Sequence, residues 1–347
     1  MKLRHIISFL LFCSLLVSCG KETIVDMDQP ISFSAEVSTA TKAIKPNDPT
    51  VLLTVGNKVS IFATRVYAGV PEYVFSNRML NCDEVPNPST PSNHLSSAWS
   101  YAPVEYWKDN GDYYFSAVYP FRNDITIDNT SYELRVSYYA GDNTDMMVAR
   151  EYRDAAVSKY PVNLTFKHTT AAVRFLFGKS SSSDADQYQL TSFRLDNFIS
   201  SGSFSMLTQV PVSPTISSSD WTVQSSYSNL FSWTADTSSD RKTITHPTNV
   251  DNPDGYTPMG WYYMVPQTLS TNASVRFSVS YNDGTPVETV LNIYGATDQT
   301  TSESGTAWAP NQVYNYFITL NQSGLDLTVR TIPWDEVQVT TDDFNFE

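Results

Sequence analysis

An all-β protein, arranged as two β-sandwich domains in tandem, is what this sequence predicts, and three observations carry the prediction. The 347 residues include 21 Tyr and 18 Phe among abundant Ser and Thr, while only 17% are charged. Such side chains suit half-buried pleated surfaces better than exposed helices. Short runs alternate apolar and polar residues with period 2 between turn signals. No stretch holds a capped 3.6-residue period long enough for a helix.

Composition also excludes classes of function. With 41% apolar residues the chain can bury a core, so global disorder is ruled out. The net charge is −14, spread along the chain, which makes nucleic acid a poor partner.

The elements follow in chain order. Lys2 and Arg4 precede an apolar run at 6–17 that is short for a membrane span, so residues 1–18 read as a signal peptide. The run ends in Leu16-Val17-Ser18-Cys19, which resembles a bacterial lipobox and makes Cys19 the lipidation site and mature N-terminus. Its acyl chains would anchor the protein in a membrane. Residues 19–30, with Glu22, Asp26 and Asp28, form an acidic tether. Of the cysteines left after export, Cys82 alone carries a free thiol, so no intrachain disulfide is expected. It sits in Asn81-Cys82-Asp83-Glu84, read as an acidic loop that keeps the thiol inert.

Residues 31–37 alternate Ile31, Phe33, Ala35 and Val37 with small or polar neighbours, which predicts a strand with one buried face. The prolines and turn residues of Thr41-Lys42-Ala43-Ile44-Lys45-Pro46-Asn47-Asp48-Pro49 make an exposed connection. Core strands are predicted at 59–63 and 113–119, separated by a Pro/Asn/Ser-rich loop at 86–97. Asp109-Asn110-Gly111-Asp112 turns the chain into the second of them. Strands follow at 131–138, 162–166 and 171–177. The second half repeats the texture at 190–195, 201–206, 261–265, 274–281, 287–293, 313–320 and 325–329. Tyr281-Asn282-Asp283-Gly284 is a strong hairpin signal. The domain boundary is expected at Tyr160-Pro161, giving units at 31–160 and 161–347.

Catalytic chemistry finds little support. There is no G-x-S-x-G, and His94, His168 and His246 lack a local partner, so a hydrolytic triad is not expected. Zinc spacing is absent, and no cofactor or metal is expected. Asp251-Asn252-Pro253-Asp254-Gly255 and Gly141-Asp142-Asn143-Thr144-Asp145 read as solvated turns, with calcium loops the alternative. The seven tryptophans could pack the core or stack on sugars. The chain is read as non-enzymatic; a hydrolase would need two acids converging in one cleft.

In this order, several segments resemble the fimbrillin family, lipoprotein pilins of anaerobic Gram-negative bacteria. The markers are the lipobox, Ile31-Ser32-Phe33-Ser34-Ala35 followed by Thr41-Lys42-Ala43, and Gly56-Asn57-Lys58-Val59-Ser60-Ile61-Phe62. Further along come the Tyr119-Pro120-Phe121 end of a strand and Leu164-Thr165-Phe166-Lys167-His168-Thr169-Thr170-Ala171-Ala172-Val173. Late ones are Val265-Pro266-Gln267 and Trp308-Ala309-Pro310-Asn311-Gln312-Val313-Tyr314.

The resemblance implies two transthyretin-like β-sandwich domains, no catalysis, and a fimbrial subunit on the outer membrane. It implies that a trypsin-like or arginine-specific surface protease removes the first strand, here Ile31, Phe33, Ala35 and Val37, by cutting between Lys42 and Ala43. The family often has Arg where this chain has Lys42. The opened groove would take a strand from another pilin subunit. The donor candidate is the tail 332–347, with knobs at Val337, Val339, Thr341, Phe344 and Phe346. Alternatively, this tail completes its own domain's sheet. The competing function is a surface glycan-binding lipoprotein or tip adhesin whose partner is a host or bacterial surface ligand.

Overall fold

The computed structural model describes residues 29–37, 56–84, 97–181, 187–248, 253–299, 304–321 and 324–333. Within them the protein is all-β, with only short 3-10 turns beside the strands. No helix among these residues is long and apolar enough to cross a membrane.

The first half supplies β1 (Phe33–Val37), β2 (Lys58–Tyr67), β3 (Val70–Glu84), β4 (Ser97–Ser100), β5 (Asp112–Tyr119), β6 (Thr126–Ile127), β7 (Glu133–Tyr139), β8 (Met147–Asp154) and β9 (Val162–His168). Seven of these close a barrel in the order β1-β4-β3-β2-β5-β8-β9. Val59, Ile61 and Ala63 of β2 point into it and pack with Phe75, Phe115, Leu164 and Phe166. Phe62 of β2, Val118 of β5 and Val148 of β8 belong instead to the larger core outside the barrel. Burial on both faces is why these strands read as apolar runs and not as clean alternation.

The second half continues with β10 (Ala171–Lys179), β11 (Tyr188–Ile199), β12 (Ser201–Leu207), β13 (Trp221–Val223), β14 (Tyr227–Thr234), β15 (Lys242–Ile244) and β16 (Thr257–Met264). After these come β17 (Gln267–Thr268), β18 (Ser274–Tyr281), β19 (Val287–Asn292), β20 (Ala296–Thr297), β21 (Ser304–Gly305), β22 (Ala307–Trp308), β23 (Gln312–Asn321) and β24 (Gly324–Pro333). Sheets β16-β10-β23-β24 and β14-β11-β18-β19, the latter with β15 on β11, enclose an aromatic core. Phe177 of one sheet meets Phe277 of the other edge-on, with ring centroids 5.0 Å apart. The hairpin predicted at Tyr281 forms: Asn282 and Asp283 have φ of 46° and 57°, and Gly284 N–H donates to Tyr281 O at 2.8 Å. Two consecutive left-handed residues match a tight hairpin turn.

A further sheet, β13-β12-β7-β6, draws strands from both halves. β7 and β12 pair antiparallel from Glu133↔Leu207 to Tyr139↔Ser201. Inward side chains Leu134, Val136, Phe204 and Met206 share the larger core with Phe62 and Val118. The chain boundary expected at Tyr160-Pro161 falls just before β9, yet β9 pairs with β8 and β1 in the barrel.

Several local expectations change. Cys82 lies within β3, opposite Trp99 of β4, and is 1% exposed. Burial in an apolar cluster, and not an acidic loop, is what shields its thiol. Asp145, expected on a solvated turn, is buried against His168, whose Nδ1 sits 2.9 Å from Oδ2. Trp99, Trp107, Trp221 and Trp308 are core residues.

Candidate functional site

β1 closes the barrel, and the closure has two sides. It runs antiparallel to β4 over Phe33↔Trp99 to Ala35↔Ser97. On the other flank it runs parallel to β9 over Phe33↔Val162 to Val37↔Phe166. In that register Ala35 stands opposite Leu164 and Val37 opposite Phe166. A parallel neighbour distant in sequence is reached only by a long crossover, which here is most of the first half.

The residues just before β1 are also stitched in. Ile31 N–H donates to Glu105 O at 2.9 Å, and Trp107 N–H to Gln29 O at 2.9 Å. The Tyr101 hydroxyl donates to Ile31 O at 2.6 Å. Val162 N–H donates to Ser32 O at 2.8 Å, and the Ser34 hydroxyl to Asn163 Oδ1 at 3.2 Å. Burial pushes the Tyr101 phenol up, against the opposing effect of the Glu105 N–H that donates to its oxygen at 3.3 Å, so it stays a neutral donor.

Side-chain packing completes the seat. Ile31 is 1% and Phe33 4% exposed, whereas Ser32 faces out. The Phe33 ring meets Phe75 and Tyr101 edge-on at 5.6 Å and Phe115 at 5.8 Å. It therefore plugs an aromatic hole. Without β1, the edges of β4 and β9 would lie open along an apolar floor, a template for any strand of suitable pattern.

Ile31 and Phe33 thus stand where the alternation placed them. Cys19, Lys42, Ala43, Val337, Val339, Thr341, Phe344 and Phe346 lie outside the described residues. Sequence reasoning missed β4 and the role of Tyr101. The two-residue spacing of Trp99 and Tyr101 was the available signal, hidden behind the loop before it. Elsewhere, no group of three or more His, Cys, Asp or Glu side chains suited to a metal occurs among the described residues.

A family model described as fimbrillin-like matches residues 41–334. The chain belongs to the fimbrillin-like family. Membership makes it a fimbrial subunit in the general sense, part of a cell-surface appendage. No curated protein matches the sequence.

Solved structures share the fold of this fimbrillin-like chain. A candidate cell adhesion protein from Bacteroides uniformis ATCC 8492 superposes with a TM-score of 0.54 at 14% identity, covering 88% of this chain and 98% of its own. A fimbrial protein from Bacteroides vulgatus ATCC 8482 gives 0.52 at 11% identity, covering 88% and 100%. A candidate cell adhesion protein from Bacteroides ovatus ATCC 8483 gives 0.51 at 14%, covering 88% and 98%.

Proposed function

We propose that this fimbrillin-like subunit is exported as a lipoprotein and assembles by strand exchange at the β1 seat. Cys19, lipidated after loss of residues 1–18, anchors the precursor in the outer membrane through the tether 19–30. A trypsin-like or arginine-specific surface protease cuts between Lys42 and Ala43, on the connection joining β1 to β2. β1 then leaves, and the tail 332–347 of another subunit, whose Ile332 and Pro333 stay paired with β23 in their own sheet, supplies the strand that takes its place.

The observation that carries this reading is the two-sided seating of β1. Burying Ile31 and Phe33 contributes about 1.5–3 kcal/mol each, so an emptied groove favours refilling. Groove and donor lie at opposite ends of the chain, so the contact is heterologous and extends into a filament. No step requires catalysis by the chain itself.

Limited trypsin digestion of the protein from Gly20 onward tests the proposal. A stable fragment starting at Ala43, forming ladders only when residues 332–347 are present, is the expected result. A trimmed protein that stays monomeric with its tail intact refutes it. A surface glycan binder or tip adhesin is the second reading, favoured by a cleft on the composite sheet that Ser137, Ser203 and Thr222 line.

A further inference from the structure

That cleft lies where the two halves join, over β7, β12 and β13, and measures about 460 Å³. This is within the range of about 300–1,000 Å³ common for ligand sites. Strand alternation lays hydroxyls along its floor. Ser137 of β7 stands opposite Ser203 of β12, which stands opposite Thr222 of β13. Asp142 and Gln224, both exposed, stand at its margin.

Tyr139 supplies the apolar surface, with 49% of the residue exposed. Its ring lies directly against Gly141 in the 3-10 turn Ala140–Asp142. A Cβ at position 141 would fall 2.4 Å from Tyr139 Cε1, so only glycine leaves room for this ring placement. Contact with the turn restrains the ring while about half of the residue stays open to solvent, which lowers the cost of ordering it against a ligand.

Electrostatics narrow the ligand. Arg122, the cation of the cleft, already gives Nε and Nη2 to Asp124 at 2.9 and 2.7 Å. With that charge satisfied, Asp142 leaves the cleft acceptor-rich, on a chain of net charge −14. Anionic ligands are disfavoured, while a molecule with an apolar C–H face and a rim of hydroxyls matches ring, hydroxyl row, amide and carboxylate together.

We infer that this cleft binds a neutral oligosaccharide, with one sugar stacked on Tyr139 and its hydroxyls bonded to Asp142, Gln224 and the Ser137–Ser203–Thr222 row. The site is separate from the β1 seat and does not depend on strand exchange.

The test screens the protein from Gly20 onward against an array of neutral, sialylated and sulfated oligosaccharides, then titrates a neutral hit by calorimetry. Tyr139→Ala is expected to weaken binding at least about tenfold. Gly141→Ala, which displaces the ring without removing it, weakens binding as well. Tyr139→Phe retains it, and Tyr67→Ala, at an exposed tyrosine at the end of β2, leaves it unchanged. Circular dichroism confirms that each variant is folded, and each should ladder after trypsin as the parent does. Absence of binding to every neutral glycan, binding confined to charged glycans, or affinity unaffected by Tyr139→Ala would each overturn the inference.

Discussion

Replacing Phe33 by alanine probes the barrel closure at its tightest point. The side chain is 4% exposed and ringed by Phe75, Tyr101 and Phe115 within 5.8 Å. Truncating a phenylalanine in such a core costs about 3–5 kcal/mol, because transfer energy and packing are lost and a cavity is left. Edge-on aromatic pairs put this site toward the upper end of that range. Trp99 and Trp107 belong to the same cluster, so they contribute to the tryptophan fluorescence followed during guanidinium unfolding. We expect Phe33→Ala to lower unfolding free energy by about 4 kcal/mol and to speed trypsin cleavage after Lys42. A loss below about 1 kcal/mol, the size of an ordinary surface substitution, would show that β1 is not an integral stave of the barrel.

Three further outcomes follow from the packing. Asp145→Ala should destabilise the fold by about 1–3 kcal/mol in chemical unfolding, since it removes the buried hydrogen bond between its carboxylate and the His168 ring. Trp221→Phe removes the 2.9 Å bond from Nε1 to Thr169 O and should cost about 1–3 kcal/mol by leaving a buried carbonyl unpaired, seen as a lower thermal midpoint. Asp196 adds a pH dependence. Burial alone would raise its carboxyl, but hydrogen bonds from Arg194 and Arg276 outweigh burial and hold it below the usual carboxylate range. A depressed folded-state value means stability that is present above the unfolded value of about 3.9 and lost as pH falls through the lower folded one. Thermal midpoints between pH 7 and 2 should therefore drop below about pH 4, and Asp196→Asn should flatten that drop.

Legibility in the sequence followed the range of the causes. Alternation in 274–281 gives β18 to the residue, and Asn282-Asp283 gives its turn, because both depend on neighbours in the chain. The buried face of Ile31 and Phe33 is legible for the same reason. What escaped is pairing between distant segments. Nothing local in β7 announces that Ser137 will face Ser203 from the other half, so the composite sheet and its cleft are products of topology. Asp83 and Glu84 make the stretch around Cys82 look like a loop, whereas Trp99 across the sheet makes the position core. Likewise Asp145 finds its partner 23 residues later, at His168.

Under the proposed strand exchange, β1 must leave its seat before subunits join. Ser34 and Asn163 face each other across β1 and β9, so the Ser34→Cys/Asn163→Cys pair can lock the strand with a disulfide. Trypsin-treated protein carrying this pair should stay monomeric when oxidised and form ladders once reduced. Ladders of equal yield in the oxidised, locked protein would contradict the claim.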